Sequence, residues 1–190
     1  MVRLAAGRFK GMVLKTPSAI RATEAKVRQA LFNILGSFVE GARVVDGFAG
    51  SGSLGFEALS RGAGHVAFIE SDTDAVMCIR ETLDRLAHEL GREEWRLLHL
   101  EAERGLRELA ASEPPFDLIM LDPPYRSEEG KKALNTVVDC AILAPTGLVV
   151  VEHDRRMSYP AAVGSLTQGP QHRYGDTVLS FYRAAGLQEP

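Results

Sequence analysis

The sequence predicts an α/β fold: a mostly parallel, seven-stranded sheet with helices on both faces and an antiparallel last strand, behind a small N-terminal hairpin and helix. Three observations carry this. After Gly41, short apolar runs alternate with segments of helical periodicity, the pattern of a parallel sheet covered on both sides. The loop Gly50-Ser51-Gly52-Ser53-Leu54-Gly55 stands between such a run and a helix, where doubly wound sheets place their glycine-rich turn. Near the end, Gln171–Tyr174 and Thr177–Tyr182 flank Gly175-Asp176, a two-residue hairpin signal.

Taken in order, residues 3–16 read as two short strands around Gly7 and Gly11, with Pro17 closing the hairpin. Thr23 is a helix cap, and Val27, Ala30, Leu31, Ile34 and Leu35 then fall on one helical face up to Gly36. That register leaves Arg21, Lys26 and Arg28 facing outward. The strand Arg43–Asp46 runs into the glycine loop and a helix through Leu54, Ala58 and Leu59. His65–Glu70 is the next strand, and Asp72 or Thr73 caps a long helix with Val76, Ile79, Leu83, Leu86 and Leu90 on one side. A weaker strand at 96–100 leads to a helix near 103–111. The strand Phe116–Leu121, a helix near 130–141 and the strand Leu148–Glu152 follow. Residues 154–168 carry no pattern that assigns an element. The chain divides into a basic extension, 1–36, and a main domain, 37–190.

Composition bounds the class. The 190 residues suffice for one α/β domain, and 45% hydrophobic with 25% charged content is ordinary for a soluble protein. No apolar run nears the ~20 residues of a membrane span, and the N-terminus is not a signal peptide, which points to the cytoplasm. Cys78 and Cys140 stand apart and read as reduced. The five histidines lack metal-ligand spacing, so no metal is expected. The net charge of −3 is uneven: in residues 1–30, seven Lys and Arg stand against Glu24 alone, a local +6, leaving −9 for the rest. A basic arm on an acidic body suggests that the arm meets a polyanion.

Two loops carry the chemistry. Asp122-Pro123-Pro124-Tyr125 follows the strand Phe116–Leu121, and its two prolines remove consecutive backbone donors and force the chain out of the sheet. The stiff turn offers a carboxylate, directed carbonyls and an aromatic ring, which together suit a flat ring bearing an amine. The glycine loop, with Glu70 twenty residues past Gly50, fits the dinucleotide fingerprint. Asp46, four residues before Gly50, disfavours a pyrophosphate there and favours the ammonium and sulfonium of S-adenosylmethionine. On this reading Asp46, Phe48, Ala49, Gly50, Ser51 and Gly52 cradle the cofactor, Glu70 holds its ribose, and Glu101 accepts from its adenine. A nicotinamide-dependent oxidoreductase remains the competing reading of the loop, although it gives Asp122–Tyr125 no role.

With these motifs in place the chain resembles the bacterial small-subunit ribosomal RNA guanine-N2 methyltransferases, the RsmD family. The likeness runs through Gly7-Arg8-Phe9-Lys10-Gly11, Ala30–Leu35, Phe48–Ala63, Phe116–Tyr125, Glu152-His153-Asp154 and Tyr174-Gly175-Asp176-Thr177. It implies a Rossmann-like class I methyltransferase fold that uses S-adenosylmethionine to methylate a guanine N2 in 16S rRNA, presented in a partly or fully assembled small ribosomal subunit. Asp122, Pro123, Pro124 and Tyr125 are then catalytic, and Arg8, Lys10, Arg21 and Arg28 contact RNA. The chain departs from the family pattern at Ala22 (usually Pro), at Leu100-Glu101-Ala102 (usually Gly-Asp-Ala) and at Gly47 (usually large and apolar). The proline turn is shared with methyltransferases acting on adenine N6. A binding module that retains the fold without turnover is a further alternative.

Overall fold

The computed structural model describes residues 2–16 and 25–184. A two-stranded ribbon, β1 (Val2–Arg3) against β2 (Val13–Leu14), opens the chain. It is followed by α1 (Ala25–Leu35), β3 (Arg43–Asp46), α2 (Ser53–Ser60), β4 (His65–Glu70), α3 (Thr73–Arg85), β5 (Trp95–His99), α4 (Ala102–Ser112), β6 (Phe116–Leu121), α5 (Glu129–Asp139) and β7 (Leu143–Asp154). The end is β8 (Ala162–Val163), β9 (Leu166–Tyr174) and β10 (Thr177–Ala184). The expected cap Thr23 and the hairpin-closing Pro17 lie outside the described residues, as does Arg21.

The main sheet has eight strands, not seven, in the order β5-β4-β3-β6-β7-β10-β9-β8. The first five are mutually parallel, and β10 enters antiparallel beside β7. The additional strand comes from the unassigned segment: Gly164 adopts φ 52°, and Gly164-Ser165 turns β8 back onto β9. β9 is also longer than expected, because a register shift opposite Ser180–Tyr182 accommodates Gly169-Pro170 as a bulge. A proline that cannot donate to a ladder is tolerated there.

Apolar side chains pack on both faces of the sheet. One core joins α1, α2 and α3 to alternate residues of β3, β4, β6 and β7, and takes in Val2, Leu4, Phe9 and Leu14 of the N-terminal segment. The other joins α4 and α5 to the opposite alternation. The N-terminal segment therefore shares its core with the main domain. α1 is rotated from the expected register: Phe32 and Arg28 face inward and Ile34 is 38% exposed. No helix among the described residues is long and apolar enough to cross a membrane.

The N-terminal segment is pinned by polar contacts at the C-terminal end of α2. Gly7 sits at φ 79°, and a Cβ there would lie 1.7 Å from the Ser60 carbonyl oxygen, so only glycine permits this approach. The Arg8 N–H donates to that oxygen at 2.8 Å. Glu57, buried in α2, accepts from the N–H groups of Ala5 (2.8 Å) and Ala6 (3.2 Å) and from Arg61 Nε (2.8 Å). Arg28, only 2% exposed, approaches it at 3.8 Å and donates to the Arg3 carbonyl at 2.7 Å. Arg28 is thus a buried structural cation, contrary to its expected outward, RNA-contacting role.

Breaking a buried ion pair leaves an uncompensated charge, at a cost of about 3–5 kcal/mol. Glu57→Gln should therefore lower the unfolding free energy obtained from urea titration by an amount in that range, and adding Arg28→Met should recover part of the loss. Equal midpoints for wild type and Glu57→Gln would show that the carboxylate does not hold this segment.

Candidate active site

The sheet reverses its winding between β3 and β6, and the chain leaves both strands at the same edge. The Gly47 N–H donates to the Met120 carbonyl at 2.9 Å, after which the two chains part. Such a switch point opens a crevice at the carboxyl ends of the strands. Here it is a cleft of about 630 Å³ running from Glu70 and Glu101, past Gly47–Ser51, to Asp122–Tyr125, with Glu129, Glu152 and Thr177 on its far wall. That volume suits a nucleoside-sized ligand.

The glycine loop is shaped by its neighbours. Gly50 and Gly52 adopt φ 54° and 77°, and a Cβ on Gly52 would lie 2.7 Å from the Phe56 ring. The Ala49 N–H donates to the Ile69 carbonyl at 3.0 Å, tying the loop to β4. Gly55 lets α2 lie close on β4, since a Cβ there would come within 2.2 Å of Phe68. At Gly47, a Cβ would meet Leu121 Cδ2 at 2.7 Å, so Leu121 fills the space beneath the loop.

Asp46 does not line the cleft. It is 1% exposed beneath the loop, where one carboxylate oxygen accepts from the Gly55 N–H at 2.8 Å and so caps the first turn of α2. Its other oxygen, Oδ1, is buried with no hydrogen-bond partner. Burial, opposed by the Gly55 hydrogen bond and reinforced by Asp122 and Glu70, pushes its pKa up from 3.8 to about 7. Glu70 lies at the cleft wall, and its carboxylate accepts from the N–H groups of Gly50 (2.6 Å), Ser71 and Asp72 (2.8 Å each). A carboxylate on the Gly50 amide occupies the position from which a glycine loop would address a pyrophosphate, which disfavours a dinucleotide. Glu101 is exposed at the start of α4 and lines the same end of the cleft.

At the other end Pro123 is buried while Pro124 and Tyr125 are exposed. The turn closes through a hydrogen bond from the Ser127 N–H to the Pro124 carbonyl at 3.1 Å, and Arg126 takes a left-handed conformation at φ 58°. Gly130 of α5 makes room beneath Pro123: a Cβ there would stand 2.6 Å from the proline ring and 2.2 Å from the Tyr159 hydroxyl. Tyr125, 52% exposed, has its hydroxyl 2.9 Å from Thr177 Oγ1, which holds the ring at the mouth of the cleft.

The end of β7 supports the turn from below. His153 Nδ1 lies 3.0 Å from the Asp154 carbonyl, an acceptor only, so the ring proton sits there and Nε2 accepts from Ser180 Oγ at 2.8 Å. Burial lowers the His153 pKa and keeps the ring neutral against Tyr159, at 4.5 Å between centroids. Glu152 and Thr177 were not among the expected site residues. The motifs Glu152-His153-Asp154 and Tyr174–Thr177 were visible in the sequence, but only the antiparallel placement of β10 beside β7 shows that they reach the cleft.

Of the expected RNA-contacting residues that are described, Arg8 and Lys10 do not stand at this edge and Arg28 is buried. Arg8 donates to the Glu89 carbonyl and pairs with Glu94 at 3.2 Å, just ahead of β5 and beside the C-terminal end of α2, hence at the opposite edge of the parallel sheet. Lys10 is exposed on the same turn.

Residues 2–183 match the family described as conserved hypothetical protein 95. The Ribosomal RNA small subunit methyltransferase D of Haemophilus influenzae is 33% identical over 156 residues, covering 81% of this chain and 79% of that protein. Its namesake from Escherichia coli (strain K12) is 30% identical over 184 residues, covering 96% and 89%. Among solved structures, the yhhF protein of Escherichia coli superposes with a TM-score of 0.82 at 28% identity, covering 96% of this chain and 97% of that one. The fold, the shared switch-point cleft and these matches agree: the chain belongs to the conserved hypothetical protein 95 family, the RsmD family.

Proposed function

We propose that this protein transfers a methyl group from S-adenosylmethionine to the exocyclic N2 amine of a guanine in 16S ribosomal RNA, presented in a partly or fully assembled small ribosomal subunit. The observation that carries the reading is that the glycine loop and the Asp122–Tyr125 turn line one cleft. Relatives named as ribosomal RNA small subunit methyltransferases supply the substrate class.

The site fits the cofactor. Asp46 Oδ1 is a buried acceptor beneath the loop, suited to compensating a cation on the other side of it. Phe48, Ala49, Gly50, Ser51 and Gly52 would cradle the methionine portion, Glu70 the ribose and Glu101 the adenine amine. When bound, the cofactor supplies an electrophilic methyl group on a sulfonium. Everything else falls to the protein. A guanine amine is a poor nucleophile because its lone pair is delocalised into the ring. The Asp122 carboxylate and the Pro123 carbonyl, accepting its two hydrogens, draw the nitrogen towards the tetrahedral geometry that attack requires. Tyr125, fixed through Thr177, stacks on the base. Methyl transfer would form the N–C bond at the expense of the cofactor's C–S bond, and Asp122 or water would take the surplus amine proton. The base has to leave its stack to reach this turn.

Asp122→Ala should cut turnover by about 10²–10³, the scale of losing one preorganised electrostatic group, while S-adenosylhomocysteine still binds. Turnover within a factor of two of wild type would remove Asp122 from the chemistry. Titration should also show S-adenosylhomocysteine binding far more tightly than NAD, and the reverse order would favour an oxidoreductase.

A pH dependence follows from Asp46. Its raised pKa means that the folded apoprotein binds a proton the unfolded chain has already lost, so stability falls as pH rises from about 4 to about 7. A cationic cofactor favours the carboxylate, so S-adenosylmethionine affinity should rise about ten-fold between pH 6 and 8. Asp46→Asn should flatten both profiles. A wild-type affinity that is level across this range would contradict the role given to Asp46.

A further inference from the structure

We infer that the RNA phosphates flanking the target base are held by an arginine cluster beside the proline turn, formed by Arg126, Arg155, Arg156 and Arg173. This inference rests on the functional reading above. It moves the docking surface away from Arg8, Lys10 and Arg28, which the sequence alone had suggested.

The described lining of the cleft opposes a polyanion. Among the described residues that line it are Glu70, Glu101, Asp122, Glu129 and Glu152, and no Lys or Arg. That polarity suits a cationic cofactor and an uncharged base. It opposes the phosphates on either side of that base, whose charge has to be met outside the cleft. Of the N-terminal cations, Arg8 sits at the opposite sheet edge against Glu94, Arg28 is buried on Glu57, and Lys15 pairs with Glu81 at 2.8 Å.

The arginine cluster is placed where the cleft needs it. β7 ends at Asp154, and β10, running antiparallel, begins at Thr177 directly opposite, so both flanking loops emerge beside the turn. Buried Asp154 organises them. One of its oxygens accepts from the Arg156 N–H at 2.8 Å, and the other lies 3.4 Å from Arg126 Nε. The Arg155 N–H donates to the Asp176 carbonyl at 2.8 Å, and its guanidinium pairs with the Asp176 carboxylate at 2.8 Å. Arg173 donates to the Gly175 carbonyl at 3.2 Å. The four are exposed, and Arg126 follows Tyr125 with left-handed backbone, an uncommon state for a side chain of this size. Arg126 and Arg155 are held through Nε by a carboxylate and Arg173 through Nε by a carbonyl, which leaves their terminal guanidinium nitrogens to meet phosphate.

The test compares two sets of variants on purified small ribosomal subunits: Arg155→Glu/Arg156→Glu/Arg173→Glu and Arg8→Glu/Lys10→Glu. The first set should raise KM for the subunits at least ten-fold and flatten the logarithmic salt dependence of binding by about two, the slope of three lost single-strand phosphate contacts. S-adenosylhomocysteine affinity and melting temperature should stay at wild-type values. The second set should leave KM within about two-fold. Gln replacements at the same three arginines carry the test without placing new negative charge beside Asp154 and Asp176, and should raise KM in the same direction. Wild-type KM and salt slope in both the Glu and Gln versions would overturn the cluster's role, as would a larger effect from the N-terminal set. Failure of the wild-type protein to methylate ribosomal RNA at all would instead strike the functional reading on which the inference rests.

Discussion

The hydrogen bond from the Gly47 N–H to the Met120 carbonyl marks the point on which the site depends. It follows the last paired residues of β3 and β6, the two strands at which the sheet reverses its winding. One chain leaves it as a glycine loop and the other as a double-proline turn. A single residue of slip would send Asp122 to the wrong face, because strand side chains alternate with a period of two. The register is held by burial: Val44, Val45, Leu118, Ile119 and Met120 are almost fully enclosed and alternate between the two cores. The reacting groups are therefore positioned by apolar packing well below them.

Buried charge interrupts this packing beneath the N-terminal segment and beneath the glycine loop. Glu57 and Arg28 are used structurally, to close the N-terminal segment over the end of α2: both Glu57 oxygens accept from backbone N–H groups, and Arg28 donates to the Arg3 carbonyl. Asp46 is different. Only one of its oxygens is satisfied within the protein, and its proton affinity is correspondingly high. A group that is costly to the apoprotein and improved by a nearby cation makes ligand binding and local stability parts of one equilibrium.

Much of this was legible in the sequence. The strand–helix alternation, the glycine loop, the proline turn and the Gly175-Asp176 hairpin each have a local cause, and each stands where the pattern placed it. What was missed depends on contacts distant in sequence. Arg28 was expected outside because Val27, Ala30, Leu31, Ile34 and Leu35 read as the apolar face, and only Glu57, 29 residues away, explains a buried guanidinium. Asp46 was expected in the cleft, but the N-terminus of α2 claims its carboxylate. Thr177 became a site residue only through β10 lying beside β7. The eighth strand was signalled by Gly164-Ser165, yet two-residue strands carry too little periodicity to be read. The N-terminal charge excess was real, but net charge says nothing about which sheet edge carries it.

The most direct test of the central claim is transfer of labelled methyl from S-adenosylmethionine to small ribosomal subunits, purified 16S rRNA and DNA, followed by nucleoside analysis. The account predicts N2-methylguanosine as the labelled product, confined to ribosomal RNA. N6-methyladenine, or label found only in DNA, would contradict it while leaving the fold and the shared cleft in place.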